Sequence, residues 1–202
     1  LSLTDTSGKT CNSATTSRVI HAVIPPRASF ISDDLACINE PILLDAKASE
    51  SANNKALRYF WDFGDGQVTE GSRSVLKTFL KGGEHKVYLT VDDGTGDQCG
   101  KQTAEKVVRI NEPPVAQAGE DILLKCVHNP DDLLVQFDAS TSADTNHDPL
   151  TFLWDFGDGG KAQGSQAAHR YHNVGNYEAI LFVSDNTGLR CSTNVDFISV
   201  RL

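Results

Sequence analysis

Large apolar residues alternate with other residues in two short stretches of the chain. The alternating residues are Leu57, Tyr59, Trp61 and Phe63 in the first stretch and Leu150, Phe152, Trp154 and Phe156 in the second. A period of two places all members of such a set on one face of a β-strand. Each pattern therefore predicts a core strand whose tryptophan points inward.

Both stretches end in the same motif, which reveals an internal repeat. Trp-Asp-Phe-Gly-Asp-Gly occupies positions 61–66 and recurs at 154–159, 93 positions later (154 minus 61). The glycines tolerate the positive φ angles that a tight hairpin turn needs. A repeat of this length in a chain of 202 residues predicts two small modules.

Further short strands, separated by turn residues, surround each tryptophan. The fold class that follows is all-β, with each module an antiparallel sandwich. The predicted strands are 41–49, 56–64, 67–71, 74–80, 85–93 and 107–110 in repeat one, and 133–140, 150–156, 177–183 and 197–200 in repeat two.

The beginning of the chain matches the end of a repeat. Placing Cys11 on Cys99, an offset of 88 positions, also places Pro25-Pro26 on Pro113-Pro114 without a gap. The predicted domains are residues 1–22 as the last strand or two of a preceding partial repeat, 23–111 as repeat one and 112–202 as repeat two. The linker Asn111-Glu112-Pro113-Pro114 should be extended and semi-rigid.

Two interpretations of this partial repeat stay open. In the first, the chain is a segment of a longer tandem array. In the second, the strand at 17–23 completes the sheet of another copy, because an unpaired strand is a template for pairing. The second interpretation predicts a filament.

Composition narrows the range of partners. The net charge is −9, the pI is near 5.0, and the lysines and arginines form no cluster, so a nucleic-acid partner is not expected. No apolar run approaches the length of a membrane span.

The residues offer little that could support catalysis. Asp62 and Asp65 in the first motif, and Asp155 and Asp158 in the second, are interpreted as turn caps that accept backbone N–H groups. His169 and His172 are three apart in a strand, which points them to opposite faces and argues against a shared zinc ion. We therefore predict that the chain is not an enzyme.

The repeated motif resembles the polycystic-kidney-disease (PKD) repeat. His169-Arg170-Tyr171, Gly175-Asn176-Tyr177, Val183-Ser184-Asp185 and the Pro-Pro linker add to the resemblance, which covers nearly the whole chain. The resemblance implies an immunoglobulin-like sandwich in an extracellular or cell-surface protein, without chemistry of its own.

The resemblance also implies a calcium site in repeat two. Asp144, Asn146 and Asp148 place oxygen ligands at alternate positions of one loop. In PKD-like modules such a loop is completed by an aspartate and an asparagine, which here are Asp185 and Asn111. The matching positions of repeat one are Ser51, Asn53 and Lys55, with Asp93 in place of Asp185, so no calcium is expected there.

The five cysteines suggest disulfides in an extracellular module. The matched spacings favour one bond within each repeat, Cys37 with Cys99 and Cys126 with Cys191, and leave Cys11 for an upstream partner. A bond between neighbouring modules, such as Cys37 with Cys191, is the alternative.

Two functions are consistent with the sequence. The first is a non-catalytic structural or adhesive rod of a cell-surface, surface-layer or fibre-forming protein, with copies or neighbouring repeats of the same protein as partners. The second is a substrate-binding accessory module of a secreted hydrolase that grips collagen, chitin or another polymer. The second requires a row of exposed aromatic residues, which the sequence does not make evident.

Overall fold

A computed structural model of the chain describes residues 2–4, 13–18, 24–52, 54–96, 98–124 and 133–202. Within these residues no helix is long and apolar enough to cross a membrane. The strands of the described residues are β1 (Ser2–Thr4), β2 (Ser13–Thr15), β3 (Leu35–Cys37), β4 (Pro41–Asp45), β5 (Arg58–Asp62), β6 (Val68–Gly71), β7 (Ser74–Thr78), β8 (Gly83–Asp92), β9 (Lys101–Asn111), β10 (Ile122–Leu123), β11 (Leu134–Asp138), β12 (Thr151–Asp155), β13 (Lys161–Gln163), β14 (Gln166–Arg170), β15 (Asn176–Ser184) and β16 (Thr193–Arg201).

The two tryptophan strands lie at the centre of their modules, as the alternation predicts. Trp61 in β5 is 1% exposed and lies opposite Leu89 of β8. Trp154 in β12 is fully buried and lies opposite Leu181 of β15. Each indole also donates a hydrogen bond from Nε1 to a backbone carbonyl, so the polar edge of the ring is satisfied inside the core.

Each repeat is a sandwich of one five-stranded and one two-stranded sheet. The strand orders are β3-β9-β8-β5-β6 with β4-β7 in repeat one, and β10-β16-β15-β12-β13 with β11-β14 in repeat two. The all-β class is confirmed. The pairing is not wholly antiparallel, because β3 runs parallel to β9 and β10 runs parallel to β16.

The hairpin turn after each tryptophan confirms the interpretation of the repeated aspartates. Asp62 accepts hydrogen bonds from the amides of Gly64 and Gly66, and Asp155 accepts one from Gly157. Gly157 has a φ of 78°, and a Cβ atom there would lie 2.5 Å from the carbonyl oxygen of Glu178. The turn therefore needs glycine both for its backbone angle and for the close approach of β15.

The structure overturns the predicted pairing of Cys37 with Cys99. Cys37 is bonded to Cys191, with 6.0 Å between their Cα atoms, and Cys99 is a free, exposed thiol. Cys37 pairs with Asn111 at the end of β9, whereas Cys99 lies two residues before the start of that strand. Eleven residues of extended strand place the two cysteines roughly 30 Å apart, at opposite ends of repeat one.

The same bond excludes Cys126 as the partner of Cys191, so the predicted pair in repeat two is also wrong. Cys11 and Cys126 themselves lie outside the described residues.

At the start of the chain β1 pairs with β2. Residues 16–18 form no strand and 19–23 lie outside the described residues, so pairing of 17–23 with another copy stays a prediction.

Candidate functional site

The predicted calcium ligands lie at the joint between the two repeats. Asn111 ends β9 of repeat one, and Asp185 follows β15 of repeat two. Asn111 is fully buried, and its Nδ2 donates to Asp185 Oδ2 at 2.7 Å. Asp185 Oδ1 accepts from the backbone and hydroxyl of Thr187, which fixes the carboxylate. Two of the five predicted ligands are therefore in direct contact across the joint.

Asn146 binds the backbone of the linker. Its Oδ1 accepts from the amide of Glu112 at 2.7 Å, and its Nδ2 donates to the carbonyl of Ile110 at 3.1 Å. The side chain of Glu112 turns back to repeat one, where Oε1 accepts from the amide of Gly82. The sequence indicated Asn146 as a ligand, but in this structure its amide holds the residues on either side of Asn111.

Asp148 forms a salt bridge with an arginine of the other repeat. One guanidinium nitrogen of Arg109 donates to both carboxylate oxygens of Asp148, at 2.5 and 2.6 Å. The bond to Asp148 raises the pKa of Arg109, and the charges of Asp144 and Asp185 act in the same direction. Arg109 is thus close to all three predicted carboxylate ligands.

Two buried oxygens at the joint have no hydrogen-bond partner. Asp144 Oδ1 accepts from the amide of Asp148 at 2.9 Å, but Asp144 Oδ2 has no partner, and neither does Asn111 Oδ1. Asp144 is only 8% exposed. Burying an oxygen acceptor without a partner is costly, so these atoms indicate that a cation or a water completes the site.

The charges and donor types at the joint suit a hard divalent cation. The carboxylates of Asp144, Asp148 and Asp185 and the guanidinium of Arg109 together carry a formal charge of −2. The available donors are carboxylate and amide oxygens, which calcium prefers. In the part of the chain that the structure describes, no three His, Cys, Asp or Glu side chains converge in a preformed site. The donor types therefore suit calcium, but the carboxylates do not meet in a preformed site.

At the matching end of repeat one, the positive charge comes from Lys55, a residue of the same repeat. Asp93 accepts from Thr95 just as Asp185 accepts from Thr187. The bonds from Thr95 are the main cause of the lowered pKa of Asp93, and the charge of Lys55 contributes. Ser51 stands in the place of Asp144, while Asn53 lies outside the described residues. The absence of a calcium site in repeat one stays a prediction.

Several contacts of the joint could not be predicted from the sequence. Arg109 lies only two positions before Asn111, but nothing in its spacing points to Asp148, 39 residues away. A second ion pair, Arg190 with Glu40, also crosses the joint beside the disulfide. A bulky side chain at Gly82 would strike Glu112, whose Cγ lies 2.6 Å from a Cβ built there. The position of Arg109 close to the linker was the only feature of the sequence that pointed to these contacts.

Repeat two also carries an apolar surface on the outer face of its larger sheet. Phe182 lies opposite Leu153 on one side and Val195 on the other, and Ile180 lies opposite Phe197. Phe182 is 36% exposed and Phe197 is 51% exposed. We call Leu153, Ile180, Phe182, Val195 and Phe197 the outer apolar face. It provides exposed aromatic residues that the sequence did not make evident.

Three of the five matching positions in repeat one are polar, and the other two are Phe60 and Tyr88. Phe60 lies opposite Thr90, and Thr90 lies opposite Thr103, with 2.7 Å between the two threonine hydroxyls. Glu105 stands at the position of Phe197 and pairs with Lys86 at 3.5 Å. The outer apolar face is therefore a feature of repeat two and not of the repeat in general.

His169 belongs to the core side of repeat two, where its ring contacts Phe156 and Tyr171. Its ring stacks on Phe156 with 4.2 Å between centroids, and its Nε2 lies 2.9 Å from Asp158 Oδ2. Asp158 has a lowered pKa because the bonds to His169 and to the amide of Gly160 outweigh the opposing effect of burial. His172 is exposed. These contacts support the fold of the hairpin.

Comparison with known proteins decides the family. Residues 23–108 and 111–200 each match the model of the PKD domain. The chain belongs to the PKD domain family. Its fold is therefore the immunoglobulin-like β-sandwich, in two tandem copies, and PKD domains are non-catalytic modules.

The curated relatives carry PKD domains as small parts of long enzymes. Collagenase ColA of Clostridium perfringens is 41% identical over 93 residues, which is 46% of this chain and 8% of that protein. Pre-pro-metalloprotease PrtV of Vibrio cholerae is 27% identical over 146 residues, which is 72% of this chain and 15% of that protein. The chain thus spans a small fraction of the relatives that it matches.

Solved PKD domains are also similar to single repeats. The PKD1 domain of the V. cholerae metalloprotease PrtV is 25% identical and covers 43% of this chain and 98% of that domain, with a TM-score of 0.35. The PKD1 domain of Vibrio anguillarum Epp is 22% identical and covers 44% of this chain and 96% of that domain, also with a TM-score of 0.35.

Proposed function

We propose that the chain is a non-catalytic spacer of an extracellular or cell-surface protein, in which two PKD domains are held end to end at a fixed angle. The observation that carries this proposal is the covalent link between Cys37 of repeat one and Cys191 of repeat two. The buried bond between Asn111 and Asp185 supports it, because rotation at the linker would break that bond. Disulfides persist in oxidising compartments, which supports the extracellular location.

Such a spacer would bear load in a cell-surface, surface-layer or fibre-forming protein, or would position other domains of a secreted hydrolase. The collagenases and the metalloprotease among the relatives favour the second setting. Their catalytic activities are not proposed for these residues, since the PKD domain is a non-catalytic module.

One calcium ion completes the joint in this proposal. Asp144 and Asn111 each offer a buried oxygen without a partner, and Asp185 offers a carboxylate beside them. Asp148 would add a fourth side chain, while Asn146 holds the linker in place. Because Asn111 belongs to repeat one and the carboxylates to repeat two, the cation would bind both repeats at once and stiffen the joint.

The matched residues Asp185 and Asp93 provide a test of this joint. The wild-type chain should bind one calcium ion by isothermal titration calorimetry, with a Kd on the order of 10⁻⁴ M as in extracellular modules. Asp185→Asn should abolish binding, because it removes a carboxylate from the site. In small-angle X-ray scattering with calcium, the wild-type chain should have one elongated shape, and Asp185→Asn should broaden its distance distribution.

Asp93→Asn is the control, because Asp93 accepts the same bonds from a threonine but lies at the opposite end of repeat one. It should bind calcium as the wild type does. Absence of calcium binding by the wild-type chain, or equal loss in both variants, would contradict the cation site. A scattering curve of the wild type that requires many interdomain angles would contradict the spacer.

A second candidate function is binding to an insoluble polymer through the outer apolar face of repeat two. Exposed phenylalanines beside aliphatic residues are unusual on the surface of a monomer and mark interaction sites. Several relatives are named collagenases, so collagen is the first polymer to test, with chitin as the comparison.

Changing the outer apolar face to the residues of repeat one tests this second function. Phe182→Thr with Phe197→Glu introduces the side chains found at Thr90 and Glu105. If this face binds polymer, the double variant should sediment with fibrillar collagen or chitin at least tenfold less than the wild type. The melting temperature should change little, because both side chains are exposed. Equal sedimentation of both proteins, or none of either, would refute polymer binding by this face.

A further inference from the structure

Arg109 occupies an unusual place for a basic residue at a calcium-type site. It extends from β9 of repeat one and reaches the acidic loop of repeat two, where it binds both oxygens of Asp148. The side chain of Asp148 is 13% exposed, whereas that of Arg109 is 39% exposed, so only the carboxylate is largely shielded from solvent. Hydrogen bonds between ionised groups are shorter and stronger than those between neutral groups.

The arginine and a metal ion compete for the same carboxylate. Both oxygens of Asp148 already accept hydrogen bonds from Arg109, and the positive charge beside this carboxylate opposes the binding of a second cation there. Asp144 Oδ2 and Asn111 Oδ1, in contrast, have no bond to give up. Two ligands of the site are therefore free, and a third is held by a side chain of the neighbouring repeat.

Repeat one provides a parallel within the same chain. There Lys55 stands at the position of Asp148, and its charge contributes to lowering the pKa of Asp93, the counterpart of Asp185. In each repeat the charge of a basic side chain therefore acts on the acid that follows the penultimate strand, Asp93 or Asp185. In repeat one the cation is built into the loop itself, and in repeat two it is supplied by the preceding repeat.

We propose that the guanidinium of Arg109, which is fixed to repeat one through β9, competes with calcium for Asp148. This competition sets the calcium affinity of the joint. In the calcium-free protein, the bond between Arg109 and Asp148 holds the two repeats together. The inference rests on the calcium site proposed above. It predicts that removing the guanidinium strengthens calcium binding while it weakens the joint of the calcium-free protein.

The test measures calcium affinity in the full chain with three arginine variants. Arg109→Gln should bind calcium on the order of tenfold more tightly at low ionic strength, because a unit positive charge leaves a site that takes a divalent cation. Arg109→Lys keeps the charge and should stay within about threefold of the wild type. In EDTA, Arg109→Gln should melt at a lower temperature than the wild type, and saturating calcium should reduce this difference.

Arg190→Gln is the matched control, since Arg190 also crosses the joint but pairs with Glu40 instead of a proposed ligand. It should leave calcium affinity unchanged. Weaker or unchanged binding by Arg109→Gln, or an equal gain in Arg190→Gln, would overturn the competition while leaving the calcium site intact. Absence of binding in every variant would refute the calcium site itself and the competition with it.

Discussion

Replacing both Cys37 and Cys191 with serine should lower the free energy of unfolding by about 5 kcal/mol in the chain-entropy model. The bond closes a loop with a sequence separation of 154, and the unfolded chain regains the conformational entropy of that loop once the bond is absent. Guanidinium denaturation of the wild-type and variant chains measures the difference. If the repeats unfold separately in the variant, the free energies of unfolding of the two transitions are added.

Cys99→Ser is the control for this variant, because Cys99 is exposed and unbonded. It should change the free energy of unfolding by less than about 0.5 kcal/mol. The prediction fails if the double variant is as stable as the wild type under oxidising conditions, or if Cys99→Ser destabilises the chain as much. Peptide mapping without reduction should recover Cys37 joined to Cys191 from the wild-type protein.

Trp154→Ala should destabilise repeat two by about 3–5 kcal/mol, the range for removing a large aromatic side chain from a core. Trp154 is fully buried, its ring lies 5.2 Å from that of Phe137, and its Nε1 donates to the carbonyl of Gly164. The substitution therefore leaves both a cavity and an unsatisfied carbonyl. Thermal unfolding followed by circular dichroism measures the loss.

The neighbouring residue Leu153 gives a control in the same strand, because it points to the opposite face and is 38% exposed. Leu153→Ala should cost less than about 1 kcal/mol. Trp61→Ala should destabilise repeat one in the same way as Trp154→Ala destabilises repeat two. A cost below about 1 kcal/mol for Trp154→Ala would show that the indole is not central to the core.

The core was predictable because the alternation of apolar residues that marks it lies within short stretches of the sequence. Trp61 and Trp154 each sit in a period-two pattern that ends in a glycine turn, and both strands lie where the pattern places them. Alternation alone did not reveal the outer apolar face. In β12 and β15 both faces carry large apolar residues, such as Leu153 beside Trp154, so periodicity could not show that one set remains exposed.

The joint was only partly predictable because its contacts depend on distant residues. The oxygen-rich loop at Asp144 was visible in the sequence. The disulfide between Cys37 and Cys191 was visible only as the alternative to a bond within each repeat. Choosing between the two requires the parallel pairing of β3 with β9, and a strand of three residues gives no periodic signal. The bond between Arg109 and Asp148 likewise depends on how the second repeat is oriented on the first.

The bond between Cys37 and Cys191 also determines how the two domains respond to a pulling force. Tension applied at the ends of the chain passes through the disulfide and bypasses the segment between the two cysteines. That segment would extend to about 500 Å if it were unfolded and stretched. Under oxidising conditions the segment between the two cysteines therefore adds no length under tension, and reduction of one covalent bond allows it to extend.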